Sequence, residues 1–227
     1  MKRNRLCNIL VLALCSLLFV PAYAEDSIAV EAPKKEKQPV YNCTQIKVDI
    51  LSPVLTPALY NWQMQHYELA VNVRLAQRFY PTLEAGYTGG KMAQGDSISY
   101  SGQGGFFRVG ADINPLKKHP ESPHALLIGV RLGTAVQQSN HVISNGDTQK
   151  IGITGDCWGE IVAGCQVEIA EVRNTAFYMG WMGRIKFLFT RDKAGITAND
   201  MKAIYIPGFG NRDNIGWGAN YYLGWRF

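Results

Sequence analysis

The last fourteen residues, Asn214-Ile-Gly-Trp-Gly-Ala-Asn-Tyr-Tyr-Leu-Gly-Trp-Arg-Phe227, alternate strictly between two kinds of side chain. One register carries Ile215, Trp217, Ala219, Tyr221, Leu223, Trp225 and Phe227; the other carries Gly216, Gly218, Asn220, Tyr222, Gly224 and Arg226. Successive side chains of a strand point to opposite faces, so the pattern predicts a strand whose two faces meet different media.

The same period recurs along the chain. Strands are expected at 45–51, 65–76, 82–88, 100–114, 124–138, 157–170 and 175–190, each with one apolar register and one small or charged register. With the closing strand this makes about eight, an even number. The intervening connections alternate in length. Long segments at 52–64, 89–99, 139–156 and 191–213 trade places with shorter ones at 77–81, 115–123 and 171–174. Short turns at one end, long loops at the other and an even strand count form the pattern of an outer-membrane barrel. The expected fold is therefore all-β, an antiparallel up-and-down transmembrane β-barrel over 44–227.

Alternation alone does not say which face looks inward, since a soluble lipocalin-like barrel has the same period in the opposite sense. The non-apolar register decides. It is rich in Ala70, Gly86, Gly110, Gly129, Gly133, Gly164 and Gly180, which suit a crowded interior and weaken a solvated strand. Its charges nearly balance: Glu68, Glu84, Asp112, Glu160 and Glu168 against Arg74, Arg108, Arg131, Arg184, Lys186 and Arg226. Eight strands enclose only enough room for side chains to fill, and unpaired buried charge is costly. The expected lumen is a plug of ion pairs and hydrogen bonds with no open channel. Aromatics near the strand ends fit interfacial girdles, with Tyr80, Phe177, Trp225 and Phe227 at one side and Tyr67, Tyr87, Trp158 and Trp217 at the other.

The N-terminus agrees with export. Basic Met1–Arg5, an apolar run over 6–20 and the small-residue site Ala22-Tyr-Ala24 make residues 1–24 a secretory signal peptide. The apolar run is too short for a helix that crosses a bilayer. Cys15 follows the bulky Leu14, which argues against lipidation. Residues 25–43 read as a flexible periplasmic lead, with charges, prolines and no period. Loss of Lys2, Arg3 and Arg5 leaves 20 basic against 18 acidic residues, too even a balance for a nucleic-acid surface. Cys157 and Cys165 fall on one predicted strand about 26 Å apart, too far to pair. With Cys43 they are expected to be free thiols.

Little in the chain carries chemistry. Of the four histidines, His66, His119, His124 and His141, only His141 falls in a long outer loop, with Ser139, Ser144 and Asp147 near it. That set invites a lipid-modifying Ser-His-Asp reading, but these are also ordinary loop residues. No catalytic, cofactor-binding or metal-ligating set is expected, and no cofactor. The most distinctive loop stretch, Ala203-Ile-Tyr-Ile-Pro-Gly-Phe-Gly210, reads as a hairpin over the barrel mouth.

The signal peptide, Lys47-Val-Asp-Ile50, the Tyr67–Tyr87 hairpin, Gly180-Trp-x-x-Arg184, Tyr205-Ile-Pro-Gly-Phe-Gly210 and the terminal Phe227 together resemble a family of short outer-membrane β-barrel proteins. In size and topology the chain is also similar to the OmpA membrane domain and OmpX-like proteins. The resemblance implies an outer-membrane location in a Gram-negative bacterium and lipid as surroundings. It also implies recognition of the closing strand, ending on Phe227, by the barrel assembly machinery. The resemblance assigns no catalytic residue, and no peptidoglycan-binding domain is expected after Phe227. A structural role, or contact with an external ligand or protein through loops 139–156 and 191–213, is the expected function. A lipid-modifying barrel enzyme and a soluble periplasmic lipocalin-like carrier are the alternatives, with a conducting channel the weakest.

Overall fold

The structure is a computed structural model that describes residues 41–59, 63–75, 78–94, 98–116, 124–144, 147–149, 152–173, 175–190 and 204–227. The side chains at 41–42, 92–94, 98–99, 139–144 and 147–149 are not described. The expected signal peptide and most of the N-terminal lead lie outside the described residues.

Eight long strands form the wall: β1 (Tyr41–Asp49), β2 (Met64–Leu75), β3 (Phe79–Gln94), β4 (Ile98–Ile113), β5 (Ala125–Ser144), β7 (Gly152–Val172), β8 (Thr175–Leu188) and β11 (Ile215–Arg226). A three-residue strand β6 (Asp147–Gln149) extends the edge of β5. A small hairpin of β9 (Tyr205–Ile206) and β10 (Gly210–Asn211) stands apart from the wall. One short helix, α1 (Ser52–Leu59), joins β1 to β2. Each wall strand pairs antiparallel with its neighbours in sequence, and β4 pairs with β5. The sheet closes where β1 meets β11, with Gln45 opposite Arg226 and Asp49 opposite Tyr222. Thr44 and Phe227 exchange backbone hydrogen bonds of 3.2 and 2.9 Å, so the last residue belongs to the seam. Closure leaves the wall without an unpaired edge.

The two registers separate as their chemistry demands. Val130 and Leu132 are 62% exposed and Trp217 is 71% exposed on the outside, whereas Arg108, Asp112 and Arg131 are at most 2% exposed inside. The outer face is a continuous apolar belt, and the polar register fills the lumen. Near the short turns the lumen holds a cluster of Tyr80, Leu127, Val162, Tyr178, Met182 and Tyr222. Toward the long connections, Phe106, Ala135, Trp158, Ile206 and Phe209 pack together with Leu188. Charged side chains fill the space between.

Several expectations change. The stretches 89–99 and 139–156, read as loops, are largely strand: β3 runs to Gln94, β4 starts at Ile98, β5 runs to Ser144 and β7 starts at Gly152. Their Gly, Ser, Gln and Asn content suggests loops, while the backbone finds ladder partners from Ile98↔Ser144 to Gly102↔Ser139. The short link at 77–81 is mostly strand as well, since Phe79, Tyr80 and Pro81 pair with Ile113, Asp112 and Ala111. Tyr80 and Trp158, expected in outer girdles, are buried in the lumen at 1% and 0% exposure. They share parity with Glu84 and Glu160, so closure turns them inward with those residues. Tyr67, Tyr87, Phe177 and Trp217 do face outward.

The lumen glycines provide space for long neighbours. Glu68 sits opposite Gly86, Arg108 opposite Gly133, Asp112 opposite Gly129, Arg131 opposite Gly110, Arg184 opposite Gly218 and Lys186 opposite Gly216. A Cβ at Gly133 would lie 2.3 Å from Trp158 Cε2, and one at Gly110 would lie 2.0 Å from the Val130 carbonyl. Gly133→Ala is therefore expected to cost about 1–3 kcal/mol through overpacking. Gly155→Ala, whose nearest neighbour is 3.8 Å away, should change stability by less than about 0.5 kcal/mol. Equilibrium urea unfolding checks the pair, and equal costs would mean that Trp158 does not occupy this space.

Candidate functional site

The strand register delivers charges from six strands to one level of the lumen. Arg108 on β4 is opposite Glu84 on β3, and Glu160 on β7 is opposite Arg131 on β5. Arg184 on β8 is opposite Val162, two residues along from Lys186, the residue opposite Glu160. Two arginines then act as hubs. Arg108 reaches Glu68 Oε1 at 2.9 Å, Glu84 Oε2 at 2.8 Å and Glu160 Oε1 at 3.0 Å. Arg184 reaches the same three carboxylates at 3.2, 2.8 and 2.8 Å. Arg131 grips Asp112 with two parallel bonds of 2.7 Å and touches Glu84 Oε1 at 3.1 Å. Guanidinium forks suit this geometry because each presents five fixed donors to planar acceptors.

Seven of the eleven residues expected in one ionic plug thus meet: Glu68, Glu84, Arg108, Asp112, Arg131, Glu160 and Arg184. The other four lie elsewhere. Glu168 and Arg226 form a separate pair at 3.0 Å near the short turns, part exposed. Arg74 is buried beside the Tyr80 ring, 6.0 Å from its centroid. Lys186 turns toward the long connections, where its ammonium donates to the Gly208 and Phe209 carbonyls at 2.7 and 3.1 Å.

Lys186 thereby fastens the β9–β10 hairpin over the lumen. Ile204, Ile206 and Phe209 are buried beneath it, and Arg108 also donates to the Gly208 carbonyl at 2.8 Å. Gly208 has φ +74° and lies directly over Phe106; a Cβ there would fall 2.5 Å from the ring. Only glycine combines that conformation with that approach. Arg212 completes the attachment through Asp156 at 2.6 Å. The segment 204–213 is accordingly a plug on the loop end, and residues 191–203 lie outside the described residues.

Further inward groups lie beyond the eleven charges expected in the plug. Lys47 and Asp49 on β1 are buried, as are His66 on β2, Asp156 on β7 and Asn220 on β11. Lys47 places its ammonium 4.8 Å from the Tyr222 ring centroid. Asp49 accepts from the Leu51 amide at 3.0 Å and the Ser52 amide at 3.4 Å, anchoring the start of α1. Asn220 donates to Asp49 Oδ2 at 2.6 Å. His66 stacks on Phe106 at 5.3 Å and meets Thr88 Oγ1 at 2.8 Å.

The serine-histidine-aspartate set around His141 belongs to strands rather than a loop. Ser139, His141 and Ser144 are in β5 and Asp147 is in β6, and their side chains lie outside the described residues. The cysteines Cys43, Cys157 and Cys165 are free.

A lumen held by shared guanidiniums tolerates loss of one hub poorly. Arg131→Leu would leave Asp112 and Glu84 short of a partner and is expected to cost about 3–5 kcal/mol. Arg226→Leu, which breaks a part-exposed pair, should cost about 1 kcal/mol or less. Chemical unfolding of both variants against wild type tests the ordering, and a reversal would place the stabilising charges at the short-turn end.

Neither the curated proteins nor the solved structures include a match to this chain. A family match spans nearly its whole length, residues 6–226, and the family carries the description "Domain of unknown function (DUF6048)". The eight-stranded barrel with its arginine-centred lumen therefore belongs to the DUF6048 family.

Proposed function

We propose that the protein is an integral outer-membrane barrel with a plugged lumen, serving as a structural element or an interaction platform rather than as an enzyme or a pore. The observation that carries this reading is the inverted burial of the closed sheet. Charged residues are sealed inside, while Leu83, Val109, Val130, Leu132, Ile161 and Trp181 are exposed around the outside. An apolar girth of that extent is costly in water and favourable in hydrocarbon. A soluble carrier of lipocalin type needs an apolar interior, and here Arg108, Arg131 and Arg184 occupy the centre. Wall strands of 12 to 21 residues, other than the nine-residue β1, exceed or nearly match the ~9–11 needed to cross a bilayer.

Passage of solutes is opposed at three levels: the tyrosine cluster, the arginine hubs and the hairpin cap. Under this reading the exposed belt contacts lipid, and the closing strand with Phe227 engages the assembly machinery. An external ligand or protein is met at the loop end, within 139–156 and 191–213.

Gel migration of protein from washed outer membranes, unheated against boiled, tests the assignment. The expected result is a faster band before boiling, because a closed barrel keeps its fold in detergent. Reconstituted protein is expected to give no steady single-channel conductance. Recovery in the soluble periplasmic fraction with no shift on boiling would overturn the membrane reading.

A further inference from the structure

At the loop end, beneath α1 and beside the β9–β10 hairpin, lies a cavity of about 360 Å³. Its floor includes His66, Glu68 and Asn220. Asp49 stands next to them, and one ligand atom from each of Asp49, His66 and Glu68 lies within 4.8 Å of the others. These three residues come from the facing ends of β1 and β2. All are at least nine-tenths buried.

The hydrogen bonding of His66 and Glu68 anchors one atom of each and presents the other, and Asp49 is held through both oxygens. His66 Nδ1 is held by Thr88 Oγ1 at 2.8 Å, so Nε2 points to the carboxylates, 3.5 Å from Glu68 Oε2. Glu68 gives Oε1 to Arg108 and Arg184, leaving Oε2 toward the histidine. Asp49 Oδ1 accepts from the amides of Leu51 and Ser52, and Oδ2 accepts from the Ser52 hydroxyl and the Asn220 amide, two donors that a cation would displace. That amide also reaches Glu68 Oε2 at 3.4 Å, so its NH₂ lies between the two carboxylates where a cation would. Fixing a ligand through its second heteroatom is the usual outer shell of a metal centre. Neither lysine nearby neutralises the pair, because Lys47 leans over Tyr222 and Lys186 is bound to the hairpin carbonyls.

We propose that Asp49, His66 and Glu68 bind a divalent transition-metal cation of the Zn²⁺ class at the floor of this cavity. One imidazole nitrogen with two carboxylate oxygens suits Zn²⁺, Ni²⁺ or Co²⁺ better than Ca²⁺ or Mg²⁺, which take oxygen shells. A tetrahedral Zn²⁺ with bonds of ~2.0–2.2 Å sets its ligand atoms roughly 3.3–3.6 Å apart. From a widest separation of 4.8 Å the group therefore contracts by roughly 1.2–1.5 Å at most, within reach of side-chain rotation. Three protein ligands leave a fourth position facing the cavity, as in centres that hold a water or an exogenous ligand. The opening between α1 and the hairpin supplies the route of entry.

The test is calorimetric titration of the folded full-length chain with Zn²⁺, alongside His66→Gln, Thr88→Val and His124→Gln. Unheated gel migration confirms that each variant is folded. Wild type is expected to take up one high-affinity Zn²⁺ per chain, His124→Gln the same, and His66→Gln none at this site. Thr88→Val loses the anchor of the imidazole without losing a ligand and should bind about tenfold or more weakly. Co²⁺ bound to wild type should show visible absorption of a low-coordinate nitrogen- and oxygen-ligated ion, which serves if His66→Gln does not fold. Absence of saturable Zn²⁺ uptake by wild type, or equal affinity in His66→Gln, overturns the site; so does a Co²⁺ spectrum that stays that of the aquated ion.

Discussion

Closure of an eight-stranded sheet confines its interior to a space that side chains alone can fill, and that confinement governs the rest of this molecule. A charge directed into the packed middle of the lumen cannot reach water, so it has to find an opposite charge or hydrogen-bond acceptors there or destabilise the fold. The chain meets this with hubs. Arg108 and Arg184 each serve Glu68, Glu84 and Glu160, and Arg131 serves Asp112 and Glu84. Sharing of carboxylates makes the network cooperative, because moving one guanidinium disturbs several acids together. The glycines opposite the long side chains are the steric counterpart. Arg131 lies over Gly110 and the Trp158 ring over Gly133, so long side chains can lie along the wall.

The outer surface follows from the same alternation. Once alternate residues are committed to the lumen, the others must face out, and here they are Val, Ile, Leu, Phe and Trp. The register across the seam, from Gln45↔Arg226 to Asp49↔Tyr222, keeps both sets in phase all the way round. A one-residue slip would exchange them, and each such exchange would bury apolar groups among ions and expose arginines. Pairing register is thus strongly specified by the lumen, including at the last strand.

Much of this architecture was legible in the period of two. The eight-strand wall, the apolar outward face and the charged lumen all follow from parity and the charge balance of one register. Tyr80 and Trp158 were readable by the same rule, as they share parity with Glu84 and Glu160; aromatic type suggested a girdle where parity said lumen. The polar stretches 89–99 and 139–156 differ from the loop expectation because polar, Gly-rich composition does not exclude a strand, whose formation depends on the partner backbone alongside. Which carboxylate meets which arginine was not legible. That depends on register and on side-chain reach across the lumen, as Arg184 to Glu68 shows, 116 residues apart. Lys186 looked like one more ion-pair member, and only the folded hairpin provides the carbonyls that hold it.

The lumen is asymmetric, and the asymmetry bears on what the barrel is for. At the short-turn end Tyr80, Tyr178 and Tyr222 close the interior with Leu127, Val162 and Met182. At the loop end the hairpin covers only part of the mouth, since a cavity persists between it and α1. A conduit needs both ends open to exchange, while a recognition site needs one open end and a rigid floor. The arginine hubs supply that floor, and the carboxylate oxygens they hold from below leave Glu68 Oε2 and His66 Nε2 turned upward. Burial of charge therefore also preorganises polar groups beside the loop-end cavity. That arrangement favours binding at the loop end over passage through the barrel.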